Sequence, residues 1–113
     1  MSECLFCRIA SGELESNVVY ESAGVLAFRD INPAAPTHVL VVPKRHIASA
    51  RDLSRANGEL LSEMFEVIAR IAADEGLDGG YRVVTNVGPD AGQSVDHLHI
   101  HVLGGRHMSW PPG

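Results

Sequence analysis

Residues 92–103, with the sequence GQSVDHLHIHVL, constrain the fold more than any other segment of the chain. Three of the six histidines lie there at every second position, and aliphatic residues fill the gaps between them. A period of two is the period of a β-strand, so the segment predicts a strand with imidazoles on one face and an aliphatic face in the core. Successive imidazoles would then stand roughly 7 Å apart. The three histidines are His97, His99 and His101.

This histidine row favours chemistry over packing. One histidine in a strand is usually structural, but a strand gains no packing energy from clustering three groups that repel one another when they are protonated. The row suits two kinds of chemistry. One imidazole acts as a nucleophile, or the alternating imidazoles hold a metal ion that activates water.

Length and composition predict one globular domain that spans residues 1–113. The net charge is −5 and lysines and arginines do not cluster, which argues against nucleic acid or an anionic membrane as the main partner. A small phosphate ligand is still allowed, because a local site can hold one. The N-terminal segment lacks a signal-peptide pattern, and no apolar run approaches the ~20 residues that cross a bilayer, so we expect a cytoplasmic protein.

The hydrophobic patterns predict an α+β fold. Before the histidine row, alternating or β-branched runs predict four strands, at 18–20, 25–29, 37–42 and 81–87. Apolar residues recur every three or four positions between 57 and 75, which predicts one amphipathic helix that covers a sheet face. Residues 88–94, GPDAGQS, form a glycine-containing loop whose main-chain N–H groups can approach a phosphate closely.

Cys4 and Cys7 form a Cys-x-x-Cys motif ahead of a short helical segment at 8–11. A thioredoxin-like redox pair would follow a strand and open a long helix, and neither pattern surrounds this motif. Zinc usually takes four ligands, so these cysteines would need two partners from elsewhere in the chain. The motif by itself leaves open a zinc site or two buried, inert thiols.

Several segments together resemble one known family. HLHIHVL fits the His-x-His-x-His-x-x signature of the histidine-triad (HIT) superfamily, and the chain is most similar to its Hint-like branch of nucleoside phosphoramidases. LAFRDINPAAPTHVLVVPKRHI, YRVVTNVGPDAGQSV and LGGRHMSWPPG resemble Hint segments in the same order. The resemblance implies the HIT-like fold, an antiparallel sheet of about five strands with one long helix and a short N-terminal helix. It also implies a homodimer.

The implied activity is hydrolysis of purine nucleoside 5′-phosphoramidates. In this family pattern His99 attacks the α-phosphorus and forms a nucleotidyl-histidine, which water then hydrolyses. His101, with His38 behind it, would orient His99 and supply positive charge to the phosphoryl oxygens. Ser94 would help the leaving amine take up its proton.

The same resemblance implies a substrate-binding set for a purine nucleotide of the AMP or GMP type. Asp30 would accept hydrogen bonds from the ribose hydroxyls, and Trp110 would reach the site of the neighbouring protomer. The remaining contacts are walls for the purine and donors to the phosphate. They are Phe6, Phe28 and Ile31 for the purine, and Asn86, Gly92, Gln93 and Ser94 for the phosphate, beside His99 and His101.

The N-terminus resembles zinc-containing bacterial HIT proteins, which implies a structural zinc ion that the chemistry does not require. The implied ligands are Cys4, Cys7, His46 and His97.

Three other functions compete with phosphoramidase activity. They are cleavage of dinucleoside polyphosphates, zinc-dependent hydrolysis, and nucleotide binding without turnover by a regulatory module. The LGGRHMSWPPG ending favours the phosphoramidase branch over the first. Asp96 departs from the family pattern, which usually has an aromatic or other apolar residue there. We expect its carboxylate among core neighbours or at a strand end.

Overall fold

The computed structural model describes residues 4–113. Five strands form one sheet in the order β1-β2-β3-β5-β4, and every neighbouring pair is antiparallel. The predicted α+β fold is confirmed, with one long and one short helix on the sheet. No helix within residues 4–113 is long and apolar enough to cross a membrane. The elements are α1 (Leu5–Ala10), β1 (Val18–Glu21), β2 (Val25–Arg29), β3 (Thr37–Pro43), α2 (Gly58–Asp74), β4 (Arg82–Val84) and β5 (Ile100–Gly104).

The two faces of the sheet have different coverings. On one face, apolar side chains of β2, β3 and β5 pack against the buried stripe of α2, which includes Met64, Ile68 and Ile71. On the other face, a smaller cluster packs against α1 through Phe6 and Ile9. Because α1 has only six residues, it covers only part of that face. The remaining surface is open to a ligand.

The predicted long helix is observed within one residue of its expected ends, whereas two predictions of length were wrong. The strand expected at 81–87 pairs only over Arg82–Val84, because Thr85 instead donates its hydroxyl to the carbonyl of His99, at 2.8 Å. The helix expected at 8–11 begins earlier, at Leu5, because the Cys4 sulfur accepts the Cys7 N–H at 3.4 Å and caps the helix. Three short 3-10 turns were not predicted, at Ala50–Asp52, Arg55–Asn57 and Pro89–Ala91.

The histidine row is only partly inside the regular strand. Pairing in β5 begins at Ile100, so His97 and His99 precede it. The alternation continues backwards nevertheless, since Leu98 is 2% exposed in the α2-facing core and its N–H donates to the Ile47 carbonyl at 2.6 Å. A buried aliphatic anchor therefore holds the extended conformation where no neighbouring strand does.

Candidate active site

A cavity of about 430 Å³ lies on the sheet face that α1 partly covers. Seven of the predicted site residues line it, namely Phe6, Phe28, Asp30, Ile31, Ser94, His99 and His101. Sequence analysis missed other lining residues, including Leu5, Ile9, Leu40 and Val95 and the segment at 15–17, because they belong to no motif with a chemical signature. A larger depression of about 710 Å³ lies between the α2–β4 loop and residues 105–108, and none of the three histidines of the row lines it.

The sheet register puts the fourth histidine beside the row. His38 pairs with Leu103 and Leu40 pairs with His101 across β3 and β5. Directly paired residues share a sheet face, so His38 lies diagonally next to His101. The ring centroids of His99 and His101 are 5.1 Å apart, and those of His38 and His101 are 5.2 Å apart. Three imidazoles are thus contiguous beside the cavity.

One main-chain contact determines which nitrogen of His99 can react. Its Nδ1 lies 2.7 Å from the carbonyl oxygen of His97, and a carbonyl only accepts hydrogen bonds. Nδ1 therefore carries the proton in the neutral ring, and Nε2 carries the lone pair. The Thr85 hydroxyl also donates a hydrogen bond to the main-chain carbonyl of His99. The His99 side chain has a fixed orientation and a defined nucleophilic atom.

A chain of hydrogen bonds fixes the protons of His38 and His101 as well. The main-chain N–H of Ala34 donates to His38 Nδ1 at 3.0 Å, so His38 carries its proton on Nε2. That Nε2–H donates to His101 Nδ1 at 2.9 Å. His101 then keeps its own proton on Nε2, next to His99. The relay starts at the Ala34 N–H and passes through His38 to His101. The Nε2–H of His101 donates to neither of these residues.

Burial keeps this relay uncharged. Desolvation, with repulsion from His99 and His38, lowers the pKa of His101 to about 4, although Asp30 opposes the shift. Desolvation also lowers the pKa of His38 against the same opposing carboxylate. Asp30 lies 3.4 Å from His38 Nε2, but that ring is neutral near pH 7 and donates its Nε2–H to His101, so the contact with Asp30 is a close approach and not an ion pair. The second Asp30 oxygen accepts the Asn32 N–H at 2.8 Å.

The side chain of Gln93 makes three hydrogen bonds that hold the loop at 88–94. Its amide oxygen accepts the Gly88 N–H at 2.9 Å, and its amide nitrogen donates to the carbonyls of Ala48 and Val95 at 2.8 and 3.0 Å. These bonds shape the loop that carries Ser94, and the contact of Gln93 with phosphate stays a prediction. Ser94 itself is exposed and lines the cavity.

Three other expected contacts lie outside the cavity of this chain. Asn86 and Gly92 do not line it, and Trp110 is 84% exposed on the proline-rich tail. Asp96 is neither in the core nor in a strand, because regular pairing begins four residues later. Its carboxylate is exposed in a bend, next to a depression that Cys4 and His46 also line.

A second cluster combines the four predicted zinc ligands. Their ligand atoms all lie within 4.8 Å of one another. Cys4 Sγ is 3.3 Å from His97 Nδ1, and Cys7 Sγ is 3.4 Å from that atom and 3.3 Å from His46 Nδ1. Sulfur and nitrogen ligands of tetrahedral zinc stand about 3.5 Å apart, so the spacing fits the metal. The four residues are Cys4, Cys7, His46 and His97.

The position of the proton on the His97 ring also fits a metal at this cluster. Its Nε2 lies 2.8 Å from the carbonyl oxygen of Pro43, so that nitrogen carries the proton and Nδ1 turns its lone pair to the sulfurs. Such a hydrogen bond to the second ring nitrogen is the usual support of a metal-bound histidine. Desolvation lowers the pKa of His97, which keeps the lone pair available for a metal.

A third group of ligand-type atoms, Asp30, His38 and His101, is equally compact but does not suit a metal. A metal would have to bind His38 at Nε2, the nitrogen that faces the other two residues. The Ala34 N–H already occupies the lone pair at Nδ1, so Nε2 holds the proton. Proton placement therefore separates one cluster that fits zinc from one that suits proton and charge transfer.

Comparisons with known proteins agree with this geometry. Residues 3–110 match the family described as scavenger mRNA decapping enzyme C-term binding. A HIT family hydrolase from Legionella pneumophila Philadelphia 1 is 51% identical, with a TM-score of 0.96 over 98% of this chain and all of that one. A 14 kDa zinc-binding protein from Zea mays is 48% identical over 99% of this chain and 89% of its own length. A histidine triad nucleotide-binding protein from Candida albicans is 33% identical, with a TM-score of 0.83 over 98% of this chain and 85% of that one. With this family match and these relatives, the chain belongs to the histidine-triad (HIT) family.

Proposed function

We propose that this HIT-family protein hydrolyses purine nucleoside 5′-phosphoramidates to a nucleoside monophosphate and an amine. The observation that carries the proposal is the pair of ring nitrogens beside the cavity. His99 offers a lone pair at Nε2, and His101, whose ring centroid is 5.1 Å from that of His99, offers an N–H donor at its own Nε2. The hydrolase from Legionella and the nucleotide-binding protein from Candida, as they are described, support a phosphate-containing substrate.

The reaction proceeds in two displacements at phosphorus. His99 Nε2 attacks the α-phosphorus, the P–N bond to the leaving amine breaks, and that amine takes up a proton with help from Ser94. The His99 ring becomes a phosphorylated imidazolium whose Nδ1–H the His97 carbonyl continues to accept. Water then attacks the phosphorus and gives up one proton to the solvent, the P–N bond to His99 breaks to restore the neutral ring, and the nucleoside monophosphate leaves. A neutral nucleophile suits this step because the phosphoramidate is itself anionic.

The cavity walls fit a purine nucleoside. Phe6 and Phe28 meet edge to face at a centroid distance of 5.5 Å and give an apolar slot for a planar base. Asp30, at the end of β2, keeps lone pairs for the ribose hydroxyls, because the hydrogen bond from Asn32 occupies only one of its acceptor sites. Base, ribose and phosphate thus have separate partners along one cleft.

The four-residue cluster holds a structural zinc ion in this proposal. A protein described as zinc-binding is among the relatives, and the spacing and proton placement at the cluster fit the metal. Bound zinc would supply a rigid tetrahedral junction between α1, the segment after β3 and the start of the histidine row. It would supply no nucleophile, since the reacting ring is His99.

Two copies of the chain form a homodimer in this proposal. The guanidinium of Arg82 donates to the carbonyl of Ser109 at 2.9 Å, which lays the tail beside β4, an outer strand of the sheet. Tyr81 and Val83 are 40% and 37% exposed there, and Trp110 is 84% exposed. A second protomer that covers this patch would remove these apolar side chains from water.

The nucleotidyl-histidine mechanism predicts unequal losses on mutation. His99→Ala should lower kcat/KM for adenosine 5′-phosphoramidate by at least about 10³-fold, because the attacking atom is gone. Ser94→Ala should cost roughly a hundredfold, the usual effect of losing one preorganised donor. His107→Ala is the matched control, since that histidine is exposed outside the cavity and should retain wild-type turnover.

Mass spectrometry of wild-type enzyme quenched during turnover should detect a nucleotide attached to His99. Near-normal turnover by His99→Ala would refute the mechanism. Nucleotide binding without turnover by wild-type enzyme would favour the regulatory-module alternative.

Acid titration tests the neutral relay. The pKa of His101 is about 4 in the folded chain, against 6.5 for an ordinary imidazole. Between these values the unfolded chain binds a proton that the folded chain does not, so the free energy of unfolding falls as the pH drops from 6.5 toward 4. At about 1.4 kcal/mol per pKa unit, His101 accounts for a loss of about 3 kcal/mol. Urea denaturation at pH 7, 6 and 5 should show a shallower pH dependence for His101→Gln than for wild type, and equal slopes would argue against the depressed pKa.

Metal analysis tests the zinc site. The purified protein should contain one zinc ion per chain, and Cys7→Ser should lose it and melt at a lower temperature, because one of four ligands is weakened. Asp30→Asn is the control and should retain zinc, since Asp30 belongs to the cluster that does not suit a metal. If chelation abolished kcat at saturating substrate while the fold survived, zinc-dependent hydrolysis would replace the present mechanism.

Sedimentation equilibrium tests the homodimer. The wild-type chain should sediment at twice the mass of one protomer, and Val83→Glu should shift it toward monomer by placing a charge in the shared patch. A monomeric wild-type protein at micromolar concentration would contradict the proposed association. Glu66→Lys, a charge change at an exposed position on α2, is the control and should sediment as wild type.

A further inference from the structure

We propose that metal occupancy at the Cys4, Cys7, His46 and His97 cluster and nucleotide binding in the cleft are thermodynamically coupled, with Phe6 as the positioning residue that joins them. The inference rests on the proposed function for the identity of the ligand, a purine nucleoside monophosphate. It goes beyond a structural metal, because it assigns the cluster an effect on substrate affinity.

Phe6 is part of the turn that the metal would hold. It lies between two of the ligands in sequence, and Cys4 both caps α1 and contributes a sulfur to the cluster. A six-residue helix has little stability of its own, because nucleating a helix is costly and few hydrogen bonds follow. The position of this turn therefore depends strongly on what its two cysteines bind.

The ring of Phe6 contacts both the base-binding wall, at Phe28, and the proposed nucleophile, His99. It is 5% exposed and packs edge-on against Phe28 and His99, with centroid distances of 5.5 and 5.1 Å. It also faces the ligand His97, at 6.0 Å. A displacement of this one ring changes the wall for the base and the surroundings of the nucleophile together.

A second contact links the same two sites. His97 offers Nδ1 to the cluster, while its main-chain carbonyl accepts the Nδ1–H of His99 at 2.7 Å. The Pro43 carbonyl fixes the remaining nitrogen of His97, at 2.8 Å. The residue is therefore held at its ring and at its backbone, and a metal at the ring restrains the carbonyl that orients His99.

The energetic consequence is reciprocal. A protein whose α1 turn is already ordered by metal loses less conformational entropy when a nucleotide packs on Phe6. Linkage then requires the nucleotide to tighten metal binding by the same factor as the metal tightens nucleotide binding. Couplings of this kind are commonly 5- to 150-fold, and we expect about tenfold for contacts this direct.

Two affinity measurements test the coupling. Isothermal titration calorimetry gives the Kd of AMP and of GMP for zinc-loaded and zinc-free protein, and competition with a chromophoric chelator gives the zinc affinity with and without saturating AMP. Zinc should tighten AMP binding about tenfold, and saturating AMP should tighten zinc binding by the same factor. Tight AMP binding that is the same with and without zinc would overturn the coupling alone. Failure of zinc-loaded protein to bind AMP or GMP would overturn the proposed function as well.

Two matched variants test the role of Phe6. Phe6→Leu should retain zinc but reduce the zinc-dependent ratio of AMP dissociation constants well below the wild-type ratio, leaving only the part that the His97 contact carries. Phe28→Leu truncates the opposite wall of the same slot but lies outside the metal-bound turn. It should weaken AMP binding in both metal states and leave the ratio as in wild type. A wild-type ratio in Phe6→Leu would refute the positioning role.

Cobalt substitution gives a readout that does not need a folded zinc-free protein. Co²⁺ in a Cys₂His₂ site has visible absorption bands that respond to ligand geometry. AMP should shift these bands in the wild-type protein and shift them less in Phe6→Leu. An unchanged spectrum in the wild-type protein at saturating AMP would overturn the coupling, whatever the stability of the zinc-free chain.

Discussion

The hydrogen bond from His99 Nδ1 to the His97 carbonyl is the contact on which the rest of the site depends. It spans two residues of one extended segment, so the same backbone that presents the imidazole also selects its tautomer. Leu98 lies between them, fully packed in the α2-facing core, and prevents the segment from rotating. An aliphatic core contact on one face of the sheet thus helps to determine which His99 nitrogen keeps a lone pair on the other face.

Main-chain groups assign the protons throughout the site. The Ala34 N–H does so for His38, and the Pro43 carbonyl does so for His97. The consequence is a division of labour between two clusters of similar residue types. One directs a lone pair toward two sulfurs and fits a metal, and the other keeps an N–H that, in the proposed function, donates to a phosphoryl oxygen. Side-chain identity alone would not distinguish them.

Several elements were predictable because their causes are local. The period of two around His99, the β-branched run of β3 and the apolar stripe of α2 each follow from one repeating pattern in the sequence. The predictions of length were wrong where a hydrogen bond to a side chain decides the end of an element. β4 ends at Val84 because Thr85 bonds to a residue fourteen positions later, and α1 begins at Leu5 because a cysteine sulfur caps it. Nothing in the sequence indicates that the Gln93 side chain bonds to backbone groups of Gly88 and Ala48.

The sequence by itself determined the residue types and their order, and with them the sheet, the long helix and the family resemblance. Only the tertiary structure decided which nitrogen of each imidazole carries a proton, because the deciding partners are backbone groups up to 54 positions away in the chain. It also decided that Phe6 touches both the metal-type cluster and His99. Alternation can be read along a strand, whereas contacts between segments form only when the chain packs, since they depend on distances in space and not on spacing in sequence.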